Sequence, residues 1–437
     1  MQRKTLFLFT NDLRLSDNRA FLEAAESCRS LLCLYCVDPA WFRPGRFHAK
    51  VMGEHRWRFL HDSIHCLARQ LEQRQQKLLI RLQPPAQAIE QLVSAHGIDA
   101  VYRSRNIGFA EIEYWQNLRQ RLNNVTFREV PSFTLFEQAE LPFALNDLPT
   151  TFSQFRRKVE SLDITAPATA PDIIPSPFAG LKYSPDRLPA PIKTTTSPFK
   201  GGAIAGADHL RSYFSTLQAT TYKQTRNALQ GWENSTKFSP WLAHGCISAR
   251  QIAHALRHYE AMIQANESTY WILFELLWRE YFQWYALKHG VRLFAARGIR
   301  NTCKLSCYYP ERYQKWCAGH TPWPMVNACM KELSATGYLS NRGRQLVASC
   351  FIHELGMDWR YGAAWFEQQL VDYDVASNWG NWQYLAGVGA DPRGCRHFDL
   401  DKQTRQYDPD GDYIRRWGGD KTYPLDSVDA ADWPIMP

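Results

Sequence analysis

The sequence lacks most of the patterns by which metal, disulfide-bonded and membrane proteins are recognised. Its 11 cysteines are odd in number and scattered, and neither Cys33/Cys36 nor Cys303/Cys307 has a second pair or histidines at zinc spacing. No apolar run approaches the length of a membrane span, and a strand pattern begins almost directly after Met1, where a signal peptide would have no room. We therefore expect a reduced, cytoplasmic protein with no structural metal and no membrane anchor.

Motifs for nucleotide binding and nucleophilic catalysis are also scarce. No G-x-G-x-x-G follows the first predicted strand, which argues against a dinucleotide there. We find no Ser/His/Asp arrangement and no metal cluster beyond the D-x-D of Asp372 and Asp374. Aromatic residues are abundant instead, at 14% of the 437 residues with 16 tryptophans. Solubility does not require so many flat rings, which favours stacking or electron-transfer roles. The net charge of +8 suits a polyanionic partner, but many enzymes without one share it.

The first third of the chain alternates short apolar runs with longer helical patterns. Runs of strand type lie at residues 5–9, 31–37, 78–82, 99–103 and 125–130, and the main helical patterns lie at 51–74, 86–95 and 111–123. This alternation predicts a doubly wound, mainly parallel α/β sheet domain over residues 1–132. Asn11, Asp12 and Arg14 follow the first strand, at the edge where such sheets usually bind ligands.

The remainder of the chain changes character twice. Residues 161–200 are rich in Pro, Ser and Thr with little periodicity, which indicates an interdomain connector along the surface, and we place the whole connector at 133–205. Strand signals then vanish and helical periods continue. We predict an all-helical domain over residues 206–437, and the chain is long enough for two domains with sizeable cores.

One predicted helix of this second domain carries polar side chains among apolar ones. Asn341, Arg344 and Gln345 share one face, while Leu346 and Val347 occupy other parts of the helix. Buried polar groups need partners. The next segment offers these acids and amides: Asp372, Asp374, Asn378 and Asn381. Four tryptophans accompany them: Trp359, Trp365, Trp379 and Trp382. Two interpretations stay open, a well-packed core with satisfied polar contacts or a pocket for a large, flat, hydrogen-bonding cofactor.

A cluster of hydroxyl side chains lies earlier in the same domain. Ser239 and Pro240 have the form of an N-cap and first-turn proline that open a helix. Ser235 and Thr236 add two hydroxyls close to that helix end. The arrangement suits a phosphate or pyrophosphate. Most Ser-Pro caps bind nothing, however, and the pattern alone does not decide between the two.

A carboxylate lies within an aromatic stripe between these two motifs. Glu275, Trp278 and Phe282 fall at i, i+3 and i+7, and Trp271 lies one turn earlier. Such a stripe more often forms core than a binding site. A lone buried carboxylate is strongly disfavoured, however, so Glu275 indicates a partner or a ligand.

Three of these segments resemble the flavin domain of the photolyase/cryptochrome superfamily, in its DASH cryptochrome branch. They read S-N-R-G-R-Q-L-V-A-S at 340–349, D-W-R-Y-G-A-A-W-F-E at 358–367 and D-Y-D-V-A-S-N-W-G-N-W at 372–382. The likeness extends from about residue 6 to residue 417. It implies an α/β antenna domain, an all-α FAD-binding domain, and a monomer that repairs cyclobutane pyrimidine dimers by light-driven electron transfer from reduced FAD.

The resemblance also assigns residues to the cofactor and to the substrate. The implied FAD contacts, with Asn378 facing flavin N5, are Tyr222, Ser235, Thr236, Lys237, Phe238, Ser239, Arg279, Arg344, Asp372, Asp374 and Asn378. The implied contacts to the lesion or the DNA strand are Glu275, Trp278, Asn341, Arg342, Gln345, Tyr384, Arg226, Arg396 and Gln403. Gln345 and Tyr384 stand where duplex photolyases usually carry Met and Trp, which favours single-stranded DNA.

The electron-transfer chain implied by the resemblance is broken at its outer end. Trp382 and Trp359 match its first two members, but the position of the third tryptophan falls at Ser306. Tyr308 and Tyr309 follow directly and offer oxidisable rings, and Trp316 is a further candidate for the terminal position.

Other departures concern the antenna and one loop. The resemblance implies 5,10-methenyltetrahydrofolate as antenna, but of the two adjacent acids that relatives tend to show, only Glu111 remains, and an ordinary first-turn helix acid is an open alternative. Pro322 and Asn327 replace a Gly and an Asp, which predicts an altered loop.

The chain ends soon after Trp417, without the long tail of many signalling cryptochromes. This favours a repair enzyme. The alternatives are a blue-light photoreceptor that binds nucleic acid without repair, and a basic helical nucleic-acid-binding protein without a cofactor.

Overall fold

The N-terminal part of the molecule is a parallel sheet covered by helices on both faces. The computed structural model describes residues 4–193, 196–302, 306–391, 394 and 396–426. The strands are β1 (Lys4–Phe9), β2 (Ser30–Cys36), β3 (Leu78–Arg81), β4 (Ala100–Ser104) and β5 (Thr126–Val130). They run parallel in the order β3-β2-β1-β4-β5. This confirms the predicted doubly wound sheet, each strand lying within about two residues of its predicted range.

Alternate side chains of each strand enter two different cores. The helices of this region are α1 (Arg19–Glu26), α2 (Glu54–Glu72), α3 (Pro85–His96) and α4 (Phe109–Arg121). Leu6 and Leu8 of β1 pack in a core with α3 and α4. Phe7 and Phe9 point the other way, into a core that is continuous with the helical half of the molecule. Both faces of the sheet are therefore buried, which explains why its strands read as unbroken apolar runs.

The segment between the two halves contributes packing as well as length. It contains α5 (Phe152–Val159), whose Phe152, Phe155 and Val159 are buried. The carboxylate of Glu280, in the helical half, accepts hydrogen bonds from the backbone N–H groups of Leu135 (2.7 Å) and Phe136 (3.3 Å). The part of this segment before residue 160 is therefore anchored to the helical domain.

The second half of the described chain is helical, as predicted. Its helices are α6 (Ala203–Phe214), α7 (Tyr222–Thr225), α8 (Ser239–Ala243), α9 (Ala249–Met262), α10 (Glu267–His289), α11 (Pro310–Ala318), α12 (Pro324–Thr336), α13 (Asn341–Ser349), α14 (Trp359–Gln369), α15 (Val375–Ala386), α16 (Leu400–Tyr407) and α17 (Asp412–Arg416). A π-helical turn at Cys350–Glu354 follows α13. Among the described residues no helix is both long and apolar enough to cross a membrane. The domain boundary near residue 205 stays a prediction.

The carboxyl edge of the sheet is used to hold the helical domain. Arg14 is 1% exposed and donates hydrogen bonds to the carbonyl oxygens of Gly245 (2.9 Å), Asp17 (2.8 Å) and Ser132 (2.9 Å). Arg250 of the helical domain forms a buried ion pair with Asp17 at 3.2 Å. The loop that we considered as a ligand site is therefore an interdomain contact.

Gly245 marks the closest approach of the two halves. Its φ of 63° lies in the left-handed region, and a Cβ built there would lie 1.8 Å from the carbonyl oxygen of Asn11. A side chain at this position would clash with backbone and not with a mobile group. The spacing between the domains therefore depends on this glycine.

The cysteines and the altered loop can be placed in part. Cys33 and Cys36 are buried free thiols, as predicted, while Cys303 lies outside the described residues. Asn327 is buried and closes its loop, because its side-chain oxygen accepts from the Thr321 N–H (2.7 Å) and its amide donates to the Thr321 carbonyl (2.8 Å). The loop that we predicted to be altered thus has its own polar anchor in Asn327.

Candidate functional site

A cavity of about 490 Å³ lies within the helical domain. Its lining includes most of the side chains that the resemblance assigned: Tyr222, Arg226, Ser235, Thr236, Lys237, Phe238, Ser239, Glu275, Trp278, Arg279, Asn341, Arg344, Gln345, Asp372, Asp374, Asn378, Trp382, Tyr384 and Arg396. Trp359, Arg342 and Gln403 lie outside this lining, and Glu111 lies on α4 of the other domain. Residues from Tyr222 to Arg396 therefore surround one space.

Arg344 and Asp372 form one polar wall of the cavity. Ser340 caps α13 by accepting from the Gly343 N–H at 3.1 Å, which sets the start of the helix that carries Arg344. The Arg344 Nη2 donates to both carboxylate oxygens of Asp372 at 3.0 and 2.8 Å. A charged pair with one edge toward an open space can bind further polar groups.

The other polar side chains that we paired with α13 bind elsewhere. Asp374 accepts from the Gln283 amide at 3.0 and 2.9 Å and caps α15 through the Ser377 N–H at 2.8 Å. Asn378 donates its amide to the Ala363 carbonyl at 3.0 Å. Asn381 donates to the carbonyl of Ser377 at 2.8 Å. Asp372 is the one member of this group that contacts Arg344, because side-chain pairing depends on helix crossings that spacing does not define.

Arg279 lines the cavity and bonds to two other parts of the chain. Its Nη1 donates to the Phe133 carbonyl at 2.7 Å, and its Nη2 lies 3.7 Å from Asp374. The Nε atom is buried and has no hydrogen-bond partner. The Nε atoms of Arg14, Arg56 and Arg342 are buried without a partner in the same way, so this feature alone does not identify a ligand.

The loop before α8 has an unusual backbone. The helix begins at Ser239 with Phe238 as its N-cap and Pro240 in its first turn, so the predicted N-cap at Ser239 was wrong by one position. No side-chain hydrogen bond caps α8, and the helix has only five residues, too few for a strong dipole. Lys237 instead has a φ of 53°, next to Phe238 at −71°. Left-handed and right-handed residues in succession turn backbone N–H groups toward one point, which is a common anion site.

Helix α10 contributes aromatic and acidic side chains to the cavity, in contrast to the hydroxyl and basic groups described above. Trp278 stacks on Phe152 with ring centroids 3.8 Å apart, and Tyr384 meets Trp278 edge-on at 6.0 Å. Glu275 forms an ion pair with Arg226. Burial raises the pKa of the Glu275 carboxyl, and the Arg226 charge opposes that shift. Sequence reasoning missed Phe152, although the apolar spacing of Phe152, Phe155 and Val159 within the connector was a usable signal.

The three arginines expected at the DNA strand each have a partner within the protein. Arg226 pairs with Glu275, and Arg396 lies 2.7 Å from Asp391 and donates to the Tyr384 hydroxyl at 2.5 Å. Arg342 donates to Gln403 at 3.3 Å, which brings together two residues that we expected to be neighbours. These cations are held near the cavity and are not freely solvated.

Trp382 and Trp359 are both buried and are joined through α14. Trp382 is 2% exposed, and a Cβ at Gly362 would lie 2.3 Å from its ring. Trp359 begins the same helix, donates its indole N–H to the Ala296 carbonyl at 3.2 Å, and meets Trp379 edge-on at 5.7 Å. The Ser306 side chain, which lies where the third tryptophan of the electron-transfer chain was expected, is exposed.

Glu111 is an exposed first-turn acid of α4, and its backbone carbonyl accepts from Arg103 at 3.1 Å. Its charge acts across the domain contact on Glu367 of α14. Burial raises the pKa of Glu367 to about 7, Arg56 opposes the shift, and Glu111 adds to it. Sequence reasoning did not identify Glu367. Among the described residues no group of three or more His, Cys, Asp or Glu could hold a metal ion.

Comparison with known proteins agrees with this geometry. Residues 5–172 match the family described as DNA photolyase, and residues 271–420 match the FAD binding domain of DNA photolyase. A protein named Cryptochrome DASH from Idiomarina loihiensis is 54% identical over 99% of this chain and 97% of its own length. Cryptochrome DASH from Vibrio parahaemolyticus is 47% identical over 98% and 97%.

Solved structures show the same architecture. The crystal structure of the Synechocystis sp. cryptochrome matches with a TM-score of 0.91 at 38% identity, covering 95% of this chain and 89% of that one. A bacterial class III photolyase from Agrobacterium tumefaciens matches with a TM-score of 0.79 at 27% identity, covering 95% and 86%.

Proposed function

Because the chain belongs to the DASH cryptochromes of the photolyase/cryptochrome superfamily, we propose that it repairs cyclobutane pyrimidine dimers in single-stranded DNA with light and reduced FAD. The observation that carries the proposal is the composition of one cavity. Groups suited to a flavin, such as Arg344 and Asn378, line the same space as Glu275 and Trp278, which suit a pyrimidine base. An electron donor and its acceptor would therefore lie next to each other.

FAD fits the donors that the chain leaves available. The volume of about 490 Å³ lies within the range of ligand pockets. The backbone at Lys237 and Phe238 is arranged for an anion. When bound, FAD supplies an excited-state electron to the dimer, which splits and returns it. Ser235, Thr236 and Ser239 would hold the pyrophosphate by their hydroxyls.

Asn378 controls the polar edge of the flavin ring in this proposal. One N–H of its amide donates to the Ala363 carbonyl, and its side-chain oxygen can accept a hydrogen bond. An acceptor suits a protonated ring nitrogen N5, and an amide does not give up a proton as an aspartic acid can. Asn378 would therefore hold the flavin in its reduced form without exchanging a proton with it.

The lesion would enter beside α10 after leaving the DNA stack, as photolyase substrates do. Trp278 and Tyr384 offer flat surfaces, and Glu275 offers a carboxyl group to the base edge. A base–aromatic contact stabilises by about 1–3 kcal/mol. Because Gln345 and Tyr384 offer less stacking surface than Met and Trp, the site would not offset the free energy needed to open a duplex. This is the physical reason for the proposed preference for single strands.

Arg226, Arg342 and Arg396 would contact the strand's phosphates, with Gln403 beside Arg342. The partners that each cation has in the free protein, including Glu275, would be exchanged for phosphate oxygens. The proposed antenna is 5,10-methenyltetrahydrofolate near Glu111, whose charge reaches Glu367 across the domain contact. We also propose that the protein acts as a monomer.

A repair assay with a matched variant pair tests the function. Chemically reduced protein is illuminated with oligonucleotides that contain one dimer, either single-stranded or duplex, and intact pyrimidines are counted by chromatography. We expect repair only in light and faster on the single strand. Glu275→Gln should lower the repair rate at unchanged FAD content, whereas Glu267→Gln, an exposed position on the same helix, should not.

The decisive result against the proposal is bound FAD and bound DNA with dimers that persist in light. That result would favour the photoreceptor alternative, in which the same flavin acts without repair.

A further inference from the structure

Two stacked tyrosines lie at the end of an aromatic network that begins at the cavity wall. The rings of Tyr361 and Tyr308 are 4.2 Å apart and nearly parallel at 19°. Tyr361 is in the first turn of α14, two residues after Trp359. The segment that carries Tyr308 is tied to the start of α14, because the Asp358 N–H donates to the Cys307 carbonyl at 3.0 Å. The stack is thus a fixed part of the fold.

One route to this stack passes through Trp359. Trp359 meets Trp379 at 5.7 Å, Trp379 meets Phe47 at 6.2 Å, and Phe47 meets Tyr361 at 5.2 Å. Trp382 lies at the inner end, in contact with the α14 backbone at Gly362. The aromatic rings are therefore continuous from the neighbourhood of Trp359 to Tyr361.

A second route reaches the same place without Trp359. Trp382 meets Phe351 at 5.8 Å, and Phe351 meets Tyr313 at 6.4 Å. Tyr313 then lies 6.1 Å from Tyr361 and 5.7 Å from Tyr308. Both routes of aromatic contacts end at the Tyr361–Tyr308 stack. The stack is therefore the outer end of the network, whichever route an electron takes.

The position of the stack also suits an exit to solvent. Tyr308 is half-buried, and the exposed His48 stacks on it at 5.6 Å. Trp316 is 0% exposed and donates its indole N–H to the Val347 carbonyl at 3.1 Å, so neither a proton nor a reductant has access to it. Tyr309 is 44% exposed, and its ring contacts the Arg312 guanidinium at 4.6 Å.

We infer that the Tyr361–Tyr308 pair is the terminal electron donor for flavin photoreduction and replaces the tryptophan missing at Ser306. The inference rests on the proposed function, since light-excited oxidised flavin is the oxidant that starts the transfer. One electron leaves the pair and reduces oxidised Trp359 or Trp382 to its closed-shell form. The Tyr308 phenol releases its proton to water. A low-molecular-weight thiol later returns one electron and one proton to the tyrosyl radical.

Stacking is the reason for two rings at this position. Parallel rings in contact share positive charge, which stabilises the oxidised pair relative to one isolated phenol. Release of the phenolic proton then prevents the electron from returning. The pair therefore lengthens the lifetime of the charge-separated state, a task that an exposed tryptophan performs in the family pattern.

The test identifies the radical by isotope labelling in the intact, FAD-containing protein. Time-resolved electron paramagnetic resonance follows a blue flash in protein grown with ring-deuterated tyrosine or ring-deuterated tryptophan. We expect the long-lived signal to narrow only with labelled tyrosine. Tyr308→Phe, Tyr361→Phe and the double variant keep the rings and their packing. Each single variant should weaken the tyrosyl signal and shorten the radical lifetime several-fold, and the double variant should remove the signal.

Tyr309→Phe is the matched control, because it removes the neighbouring phenol without altering the stack. It should leave both the signal and the lifetime as in the wild type. Narrowing with labelled tryptophan alone, or an unchanged lifetime in the double variant, overturns the inference.

Failure of the inference can be told apart from failure of the proposed function. Repair by chemically pre-reduced protein needs no external electron, so both tyrosine variants should repair dimers as fast as the wild type. A wild-type protein that photoreduces through tyrosine but repairs nothing contradicts the proposed function and leaves the inference intact. Normal repair with no tyrosyl radical contradicts the inference alone.

Discussion

The chain gathers charged side chains in two regions where folds of this kind bind ligands, and the two regions use them in opposite ways. At the carboxyl edge of the sheet, Asp12, Arg14 and Asp17 are each at most 1% exposed and bond to the chain itself. In the helical domain, Arg279 and Arg344 line a cavity and pair with the acids Asp374 and Asp372 beside it. Residue type alone does not distinguish an interdomain contact from a binding site.

The difference lies in what covers each region. The helical domain lies directly on the sheet edge at Gly245, so no space remains for a ligand there. Around the cavity, α10, α13 and α15 meet through long side chains, and their charged ends converge without filling the space between them. Stability and ligand affinity should therefore respond separately to substitutions in the two regions.

Asp17→Asn should have the largest effect on stability. It leaves Arg250 buried without its counter-charge, which costs about 3–5 kcal/mol of unfolding free energy. Urea unfolding with and without FAD measures both properties at once. The stabilisation that FAD adds should stay as in the wild type. Asp208→Asn, in an exposed pair with Arg211, should change stability by less than about 0.5 kcal/mol. A loss of FAD affinity in Asp17→Asn would show that the interdomain contact and the cavity are energetically coupled.

Glu367→Gln should flatten the dependence of stability on pH. Burial raises the pKa of Glu367 from 4.5 to about 7, so the folded state retains a proton that the unfolded state releases. Its contribution is fully present below pH 4.5 and is lost as the pH rises through about 7. Urea unfolding measures the loss of unfolding free energy between pH 5 and pH 8. This loss should be smaller in Glu367→Gln than in the wild type by about 1–3 kcal/mol. Glu72→Gln, exposed at the end of α2, is the control, and an equal fall in wild type and Glu367→Gln would contradict the assignment.

Arg344→Lys should weaken FAD binding and leave the apoprotein nearly as stable as before. Lysine keeps a positive charge beside Asp372 but loses the planar fork that also bonds the Leu339 carbonyl at 2.8 Å. We expect the FAD dissociation constant to rise about tenfold, equivalent to about 1.4 kcal/mol, in a fluorescence titration. Arg360→Lys replaces an arginine paired with Asp358 away from the cavity and should not alter the constant. An equal loss of FAD affinity in both variants would show that any replaced guanidinium has this effect, and it would contradict a specific role of Arg344.

Lys237→Gly should have the smallest effect and the opposite sign on stability. Relief of a left-handed backbone gains about 1–2 kcal/mol, and the flexibility of glycine takes back about 0.5–1 kcal/mol. The apoprotein should be slightly more stable, while FAD binds more weakly because the ammonium group is gone. Gln75→Gly relieves a similar φ of 58° in the sheet domain and should gain stability without changing FAD affinity. Tighter FAD binding by Lys237→Gly would contradict the assignment of this loop to the FAD site.

The sequence was most informative where a short pattern alone determines the structure. The five strands and their parallel arrangement follow from apolar runs separated by helical periods, and α13 follows from its alternation of polar and apolar faces. The motif at 372–382 placed Asp372 beside Arg344 correctly. These features depend on local spacing or on a pattern shared with a known family.

Partners fixed by tertiary packing were not predictable in the same way. Asp374 bonds Gln283 and Asn378 bonds Ala363, because α15 crosses α10 and α14 at an angle that spacing along one helix does not contain. Phe152 reaches Trp278 from a segment that reads as a connector. The left-handed backbone of Lys237 has no sequence signal, since lysine does not favour it.

The contact at Gly245 also limits how this protein can be divided. At Gly245 only a hydrogen atom fits between the helical domain and the Asn11 carbonyl. The core that contains Phe7 and Phe9 continues into the helical half. Separate expression of either half would expose that shared core to water. A chimera that takes its sheet domain from a relative would need the same backbone path at both Asn11 and Gly245. The two halves should therefore be engineered as one unit.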